Sequence, residues 1–329
     1  MSAVDLTIAV GDYDHIRDVT SGRIAVPGVS VRSLALPVEE IFARFFEYRE
    51  WEVSEFSFGK YSALVAAGDR SLVGLPVFPS RMFRHSSMYV RTDSEISSPS
   101  ELAGRRIGIP EWAQTAAIYS RGILADVYGV PLSDVEWVQA GVNSAGRREK
   151  VTVNLPEGVS LTRVDDRSLN EMLVAGDLDA VFSARPPVAF SGKSGVLRRL
   201  VSDYPVQERN FYESTGVFPI MHVLVMRADV HERHPWIAKN LVDAFDAAKR
   251  ASLARLGEIT ASWIPLPWVS AQVEAATELF GDDPWPYGVE PNRKTLETFL
   301  RWGFEQGVCA DHLAPEELFA QSTLGHVIV

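Results

Sequence analysis

The sequence predicts an α/β protein of two lobes, in which each lobe is a mainly parallel sheet flanked by helices. Short apolar runs alternate with segments of helical periodicity, which is typical of βαβ units. The 329 residues, 46% of them hydrophobic, suffice for two lobes of ordinary size. Two apolar runs, 86–91 and 217–227, bracket the middle of the chain. They could pair antiparallel and form the hinge that the chain crosses twice.

The first part of the chain predicts one set of sheet and helix elements. Residues 38–48 form an amphipathic helix, because Ile41, Phe42, Phe45 and Phe46 recur on one face. The short apolar runs that predict strands here are 6–10, 29–36, 53–58, 71–78 and 86–91.

The rest of the chain repeats this alternation. A short helix from residue 98 leads into the strand 106–110, and a helix over 113–130 ends near Gly129, where a left-handed turn is easily adopted. The further predicted strands are 135–140, 178–184, 196–201 and 217–227. The further predicted helices are 168–176, 235–256, 268–280 and 292–306.

Composition excludes several classes of function. A net charge of −11 argues against a general nucleic-acid or anionic-membrane surface, because attraction to phosphates needs excess Lys and Arg. A small anion held by a few converging cations remains compatible with it. The single cysteine, Cys309, excludes an internal disulfide. The N-terminal segment shows no secretory signal and no run is long enough to span a bilayer, so we expect a soluble, cytoplasmic protein.

Candidate site residues lie mainly near strand ends, since open α/β sheets bind ligands outside the carboxyl ends of their strands. Arginine pairs with carboxylates through two parallel hydrogen bonds, and a helix start such as that at Thr115 favours anions. Histidine suits proton transfer near neutral pH. The candidates are His15, Arg17, Glu55, Ser80, Arg81, His85, Trp112, Thr115, Arg185 and His222.

Each candidate also has a purely structural alternative. Arg17 is flanked by acids and could simply neutralise them, and any of the arginines could be a salt-bridge partner. His222 lies in an apolar strand and could be a core histidine, and Trp112 could be plain core. Glu55 needs a partner if it is buried. A divalent metal held by His15, Glu55 and His222 is conceivable, but nothing in the spacing supports it.

Several segments together resemble one known family. They are "GDYDHIRDV" (11–19), "PVFPSRMFRHSSMYVR" (76–91), "ELAGRRIGIPEWAQTAAIYSRGILADVYGV" (101–130), "FSARPP" (182–187), "TGVFPIMHVLVMR" (215–227) and "DPWPYGVEPNRKTLETFLRW" (283–302). The chain resembles the 4,5-dihydroxyphthalate decarboxylase-like family, whose members have the two-lobed fold of type 2 periplasmic substrate-binding proteins. This resemblance implies that residues 1–91 and 219–329 form lobe I and residues 92–218 form lobe II.

The resemblance also implies a cofactor-independent lyase that removes CO2 from a small aromatic or cyclic carboxylic acid such as 4,5-dihydroxyphthalate. In this hypothesis His222 is the acid that protonates the ring carbon, and His85 or His15 is the base for the phenol. Arg81 and Arg185 clamp the remaining carboxylate, and Trp112 stacks on the ring. Arg17, Glu55, Ser80 and Thr115 complete the substrate-binding set.

Two other functions remain open from the sequence. The fold also suits a non-catalytic protein that binds a small anion. A related dehydratase-type lyase would share the anion clamp but need a base beside a C–H bond, for which Glu55 is the candidate. The expected partner is a small carboxylate in all three cases, and a homo-oligomer is possible.

Overall fold

The computed structural model describes residues 3–190, 195–261 and 263–325, and it contains two mixed sheets flanked by helices. This confirms the predicted fold class. The N-terminal elements are β1 (Val4–Ala9), α1 (Asp14–Thr20), β2 (Val29–Leu34), α2 (Val38–Tyr48), β3 (Val53–Ser57), α3 (Phe58–Ala66) and β4 (Leu72–Arg81).

The remaining elements follow in chain order. The middle of the chain contains β5 (Met88–Arg91), β6 (Arg106–Ile109), α4 (Thr115–Asp126), β7 (Glu136–Gln139), β8 (Ser160–Arg163), α5 (Leu169–Ala175), β9 (Ala180–Phe182), β10 (Leu197–Arg199) and α6 (Tyr204–Thr215). The C-terminal part contains β11 (Ile220–Arg227), α7 (Ala228–Arg233), α8 (Trp236–Leu256), α9 (Val269–Phe280) and α10 (Arg293–Glu305).

Both sheets are mainly parallel with one reversed strand. The first sheet has the order β2-β1-β3-β11-β4, in which β11 runs antiparallel to both of its neighbours. The second has the order β10-β5-β9-β6-β7-β8, in which β5 runs antiparallel to β9 and β10. β5 is the first strand after the chain crosses into the second sheet, and β11 is the first strand after it crosses back into the first sheet.

The predicted pairing of the two crossing strands was wrong. β5 lies in the second sheet and β11 in the first, so the two strands do not pair with each other. The chain crosses between the sheets through residues 82–87 and 200–219, where the Met82 N–H donates to the Pro219 carbonyl over 3.1 Å. Residues 88–91 therefore belong to the second sheet, and the limits of the lobes stay a prediction.

The N-termini of α3 and α4 meet where the two sheets face each other. Each of these helices follows a strand of a different sheet. α3 begins directly after β3, and α4 begins after the loop that follows β6. The Thr115 hydroxyl accepts a hydrogen bond from the Gly59 N–H over 2.9 Å and lies 3.0 Å from the Ser57 hydroxyl. A side chain on Gly59 would put its Cβ 2.8 Å from the Ala113 carbonyl oxygen, so only glycine permits this approach.

The helix α10 connects the part of the protein built on the first sheet with the part built on the second. α10 packs against both α3 and α4. Gln306, the residue after α10, accepts hydrogen bonds at its backbone carbonyl from Trp112 and at its side-chain oxygen from Arg121. No helix in the part of the chain that the structure describes combines the length and hydropathy needed to cross a bilayer.

Candidate active site

A cavity of about 570 Å³ lies between the facing ends of the two sheets. The first sheet and its helices contribute Val38, Glu39, Phe42, Ser57, Lys60, Ser80, Met221 and His222, while Met82 and Arg84 come from the crossing segment. The second half contributes Gln114, Thr115, Ala116, Gly141, Val142, Asn143, Ser144, Arg147, Ser183, Ala184, Arg185 and Pro186. A space of this size accommodates a substituted single ring.

His222 and Glu55 form a hydrogen-bonded pair at the wall of this cavity. The His222 Nδ1 lies 2.5 Å from the Glu55 Oε1, and the Glu55 side chain is fully buried. Glu55 also accepts hydrogen bonds from the Gly11 N–H over 2.8 Å and from the Tyr13 hydroxyl over 2.7 Å. Because Nδ1 is engaged, Nε2 is the ring nitrogen left to serve the cavity. Phe42 holds the ring edge-on, with centroids 4.8 Å apart.

Glu55 is ionised in this environment. Burial alone would raise its pKa, but the hydrogen bond from His222, the charge of His222 and the bonds from Gly11 and Tyr13 lower the pKa below its usual value. A buried carboxylate that faces Nδ1 fixes the tautomer and orientation of an imidazole and offers a counter-charge to its protonated form. The pair therefore has the arrangement of an oriented acid-base histidine.

Cations dominate the charged part of the described cavity lining. Lys60, Arg84, Arg147 and Arg185 line it, against the single carboxylate of Glu39. Arg185 and Glu39 form an exposed ion pair of 2.5 Å at the mouth. The local balance is therefore opposite to the net charge of −11 and suits an anionic ligand.

Two of these cations share one buried carboxylate. Lys60 Nζ lies 2.7 Å from the Glu111 Oε2, and Arg147 Nε lies 2.6 Å from the Glu111 Oε1. Burial raises the pKa of Glu111, while the charges and hydrogen bonds of Lys60 and Arg147 outweigh this and lower it overall. Glu111 therefore neutralises one of the two charges and fixes both side chains beside the cavity.

The structure brings together half of the residues predicted for the site. Ser80, Thr115, Arg185 and His222 line the cavity, and Glu55 lies directly behind His222. Ser80 and Ser57 flank His222 in register on the neighbouring strands β4 and β3.

The two other predicted histidines are not part of the cavity wall. His15 packs against Tyr13 and Trp285, and His85 packs against Tyr128 and Phe211. Burial lowers the pKa of each to about 4, so both are neutral at pH 7. The positions of His15 and His85 therefore do not support the expected role of either histidine as the base for the phenol.

Two predicted arginines also lie elsewhere. Arg17 is on α1 and forms exposed ion pairs with Asp12 and Asp14, which is the alternative that its acidic neighbours indicated. Arg81 is buried and donates to the carbonyls of Phe218 and Pro286 and to the Asn292 side chain. Because those acceptors occupy its guanidinium, Arg81 is no clamp for a ligand in this structure.

Trp112 is a core residue and not a stacking surface for a ligand. It is fully buried, its indole N–H donates to the Gln306 carbonyl over 2.7 Å, and the Arg121 guanidinium lies 3.8 Å from its ring centroid. The prediction that it stacks on a substrate ring was wrong. Phe42 is the aromatic side chain that lies on the described cavity wall.

Sequence reasoning missed several residues of the wall, above all Lys60, Arg84, Arg147 and Ser183. Arg84 had a signal, since it belongs to the basic segment 81–85. Lys60 follows β3 in the first turn of a helix that was not predicted, and Arg147 lies in a long irregular loop. Among the described residues, no group of three or more His, Cys, Asp or Glu side chains is placed to hold a metal ion.

Comparison with known proteins identifies relatives of this chain. No protein-family model matches the chain. It is 38% identical over 325 residues to the 4,5-dihydroxyphthalate decarboxylase of Comamonas testosteroni, covering 98% of each chain. It is 40% identical over 192 residues to the enzyme of that name from Pseudomonas putida, covering 58% of this chain and 74% of the relative.

Solved structures support the fold alone. The periplasmic aliphatic sulphonate binding protein SsuA from Escherichia coli superposes with a TM-score of 0.54 at 14% identity, over 98% of this chain and 99% of that one. This likeness establishes the type 2 periplasmic-binding-protein fold, and the sequence identity over nearly the full length establishes the family. The chain belongs to the 4,5-dihydroxyphthalate decarboxylase family.

Proposed function

We propose that this chain is a carboxy-lyase that removes CO2 from 4,5-dihydroxyphthalate, or a close structural relative of it, in the cavity between the sheets. The observation that carries the proposal is the pair of His222 and buried Glu55 at the wall of a cavity lined by four cations. Such a cavity attracts a dianion, and the pair can deliver a proton to it. Family membership supports the same reaction.

The reaction needs a proton at the ring carbon that carries the departing carboxylate. The hydroxyl para to that carbon gives up its proton to solvent water, and its oxygen becomes a ketone oxygen as electrons flow from it to the ring carbon. The ring carbon takes the proton and becomes tetrahedral. The C–C bond to the carboxylate then breaks, its electron pair restores the aromatic ring, and CO2 leaves. The para oxygen of the ring supplies the electrons and takes them back when CO2 leaves, so we propose that no cofactor is required.

His222 is the proposed proton donor. Its Nδ1 faces the Glu55 carboxylate at 2.5 Å, which leaves the Nε2 proton for the ring carbon. The imidazolium that donates this proton has a counter-charge beside it, and the neutral imidazole that remains keeps its hydrogen bond. A positioned general acid of this kind typically contributes about 10²- to 10⁴-fold.

Lys60 and Arg147 are the proposed partners of the hydroxyl that loses its proton. Neither His15 nor His85 lines the described cavity, so a histidine base for this step is not supported. Two cations that share one carboxylate favour the phenolate over the neutral phenol. The phenolate is the form that pushes electrons into the ring. Cytoplasmic location and a homo-oligomeric state stay predictions.

The proposal is tested with purified protein and 4,5-dihydroxyphthalate, measuring CO2 and protocatechuate. We expect both products in equal amounts from the parent protein. His222→Asn should lower kcat by about 10²- to 10⁴-fold with little change in KM. His234→Asn, at a histidine outside the cavity lining, is the matched control and should keep parent activity.

Three results would contradict the proposal. Binding of the substrate without any product would favour the non-catalytic anion-binding protein. Loss of water in place of CO2 from a candidate acid would favour a dehydratase. Unchanged turnover by His222→Asn would remove His222 from the reaction.

A further inference from the structure

Arg84 is a buried cation that no described carboxylate neutralises by direct contact. It is 5% exposed and lines the cavity. Its guanidinium donates to the Met221 sulfur over 2.6 Å, to the Ser87 hydroxyl over 3.3 Å and to the Met82 sulfur over 3.7 Å. Glu208 interacts with it only over longer range and accepts its own hydrogen bond from the Ser86 N–H. Sulfur atoms are weak acceptors, so the Arg84 guanidinium is poorly satisfied.

Ser183 is a second unsatisfied group on the same wall. It is 2% exposed, it lines the cavity, and its hydroxyl has no hydrogen-bond partner among the described residues. Ser87 connects the two groups, because the Ser183 N–H donates to the Ser87 carbonyl over 3.0 Å and Arg84 donates to the Ser87 hydroxyl. A buried polar group without a partner is costly, which indicates that a ligand supplies the missing partner.

The N-terminus of α4 completes this group. Its N-cap residue, Gln114, makes no side-chain cap hydrogen bond, and Thr115 and Ala116 of the first turn line the cavity. The first N–H groups of a helix have no partner within it and favour anions. One turn further, the Tyr119 hydroxyl accepts from the Ile220 N–H over 3.1 Å, next to the Met221 that Arg84 contacts.

We propose that Arg84, the Ser183 hydroxyl and the first turn of α4 form a preformed seat for the carboxylate that stays on the ring. This inference rests on the proposed function and adds to it the orientation of the substrate and the residues that hold its remaining carboxylate. The seat is distinct from Lys60 and Arg147, whose charges Glu111 already partly neutralises. The two hydroxyls therefore point to Lys60 and Arg147, and one carboxylate points to Arg84.

The position of His222 restricts the substrate further. Met221, which contacts the Arg84 guanidinium, lines the same cavity as His222. In this proposal a ring held at the seat by one carboxylate presents the neighbouring ring carbon, and not the opposite one, to His222. The expected substrates are aromatic acids with two adjacent carboxylates, and diacids with carboxylates on opposite sides of the ring should be poor substrates.

The test is calorimetric binding of phthalate, which has two adjacent carboxylates and no hydroxyl to drive decarboxylation, and of catechol, which has no carboxylate. Arg84→Met should weaken phthalate binding at least about 30-fold, as expected for loss of a buried charged partner. Ser183→Ala should weaken it about 5- to 10-fold. Catechol binding should change less than about twofold in both variants, because its hydroxyls do not use the seat.

Two controls make the result specific. Arg17→Met removes the same charge outside the cavity and should leave phthalate binding unchanged. Arg84→Met should also unfold at the same or a higher temperature without ligand, because methionine replaces a poorly compensated buried cation. A structural role for Arg84 predicts the opposite, a lower unfolding temperature.

The seat is overturned if Arg84→Met binds phthalate within about threefold of the parent, or if the parent protein does not bind phthalate at all. It is also overturned if catechol binding falls as much as phthalate binding. If phthalate binding depends on Arg84 while 4,5-dihydroxyphthalate yields no CO2, the seat stands and the proposed lyase activity fails.

Discussion

The substitution Glu55→Gln tests how the proton donor is built. Glu55 accepts three hydrogen bonds, from His222, Tyr13 and Gly11, and its side chain is fully buried. Glutamine has nearly the same shape, but one carboxylate oxygen becomes an NH2 donor and the negative charge is lost. His222 then has no counter-charge when it is protonated.

The size of the effect follows from the charge that is removed. At an effective dielectric constant near 20, two opposite charges about 4 Å apart attract each other by about 4 kcal/mol. Loss of about 3–4 kcal/mol from the protonated histidine corresponds to a decrease in kcat of roughly 10²- to 10³-fold. The KM should change less, since Glu55 lies behind His222 and does not line the described cavity.

The assay is the pH profile of kcat for CO2 release by the parent and by Glu55→Gln. Without the carboxylate, the protonated imidazole has no counter-charge, so kcat should be lower across the whole pH profile. Glu52→Gln is the matched control, because Glu52 also accepts a backbone hydrogen bond, from Thr7, but has no histidine partner. A Glu55→Gln protein with kcat within threefold of the parent across the profile would refute the proton-delivery role of the pair.

Three further predictions concern pH and packing. His15 and His85 have pKa values of about 4 against the ordinary 6.5, because burial disfavours their charged form. Below pH 6.5 the unfolded chain binds protons that the folded chain does not, so the free energy of unfolding should fall toward pH 4 by up to roughly 3 kcal/mol per histidine. Urea denaturation of His85→Gln should show a shallower fall. Trp112→Phe loses the hydrogen bond to the Gln306 carbonyl and should lower the free energy of unfolding in urea by about 1–3 kcal/mol. The kcat of the folded variant should stay within about threefold of the parent. A large loss of kcat would show that Trp112 contributes to the active site. Gly59→Ala adds a carbon 2.8 Å from the Ala113 carbonyl oxygen, so it should lower both the free energy of unfolding and kcat/KM. Gly257→Ala is the control, because the nearest atom to its added carbon is 3.6 Å away. Equal behaviour of the two variants would contradict the close approach of α3 and α4.

Local sequence patterns were sufficient to predict most of the fold. α2 spans Val38–Tyr48, as predicted, because its apolar positions repeat at helical spacing and bury one face. α3 was missed because it begins at Phe58 without a loop after β3, and its buried start reads as a continuation of the strand. The pairing of the crossing strands was wrong because partner choice depends on contacts between distant segments.

The site was harder to predict for the same reason. Arg81 and Arg84 belong to one basic segment and have the same chemistry. Arg81 turns toward Asn292 and the Pro286 carbonyl, which come from a segment some two hundred residues away, while Arg84 faces the cavity. Their sequence context does not distinguish these two outcomes. His222 and Glu55 were each predicted, but their hydrogen bond depends on the register of β11 against β3.

The most direct measurement of the central claim is a crystal structure of the protein with phthalate bound. We expect the ring in the cavity between the sheets, with one carboxylate on Arg84 and Ser183. The carbon that carries the other carboxylate should lie about 3–3.5 Å from the His222 Nε2, the separation that proton transfer requires. Phthalate bound outside this cavity, or turned so that both carboxylates face Lys60 and Arg147, would contradict the account.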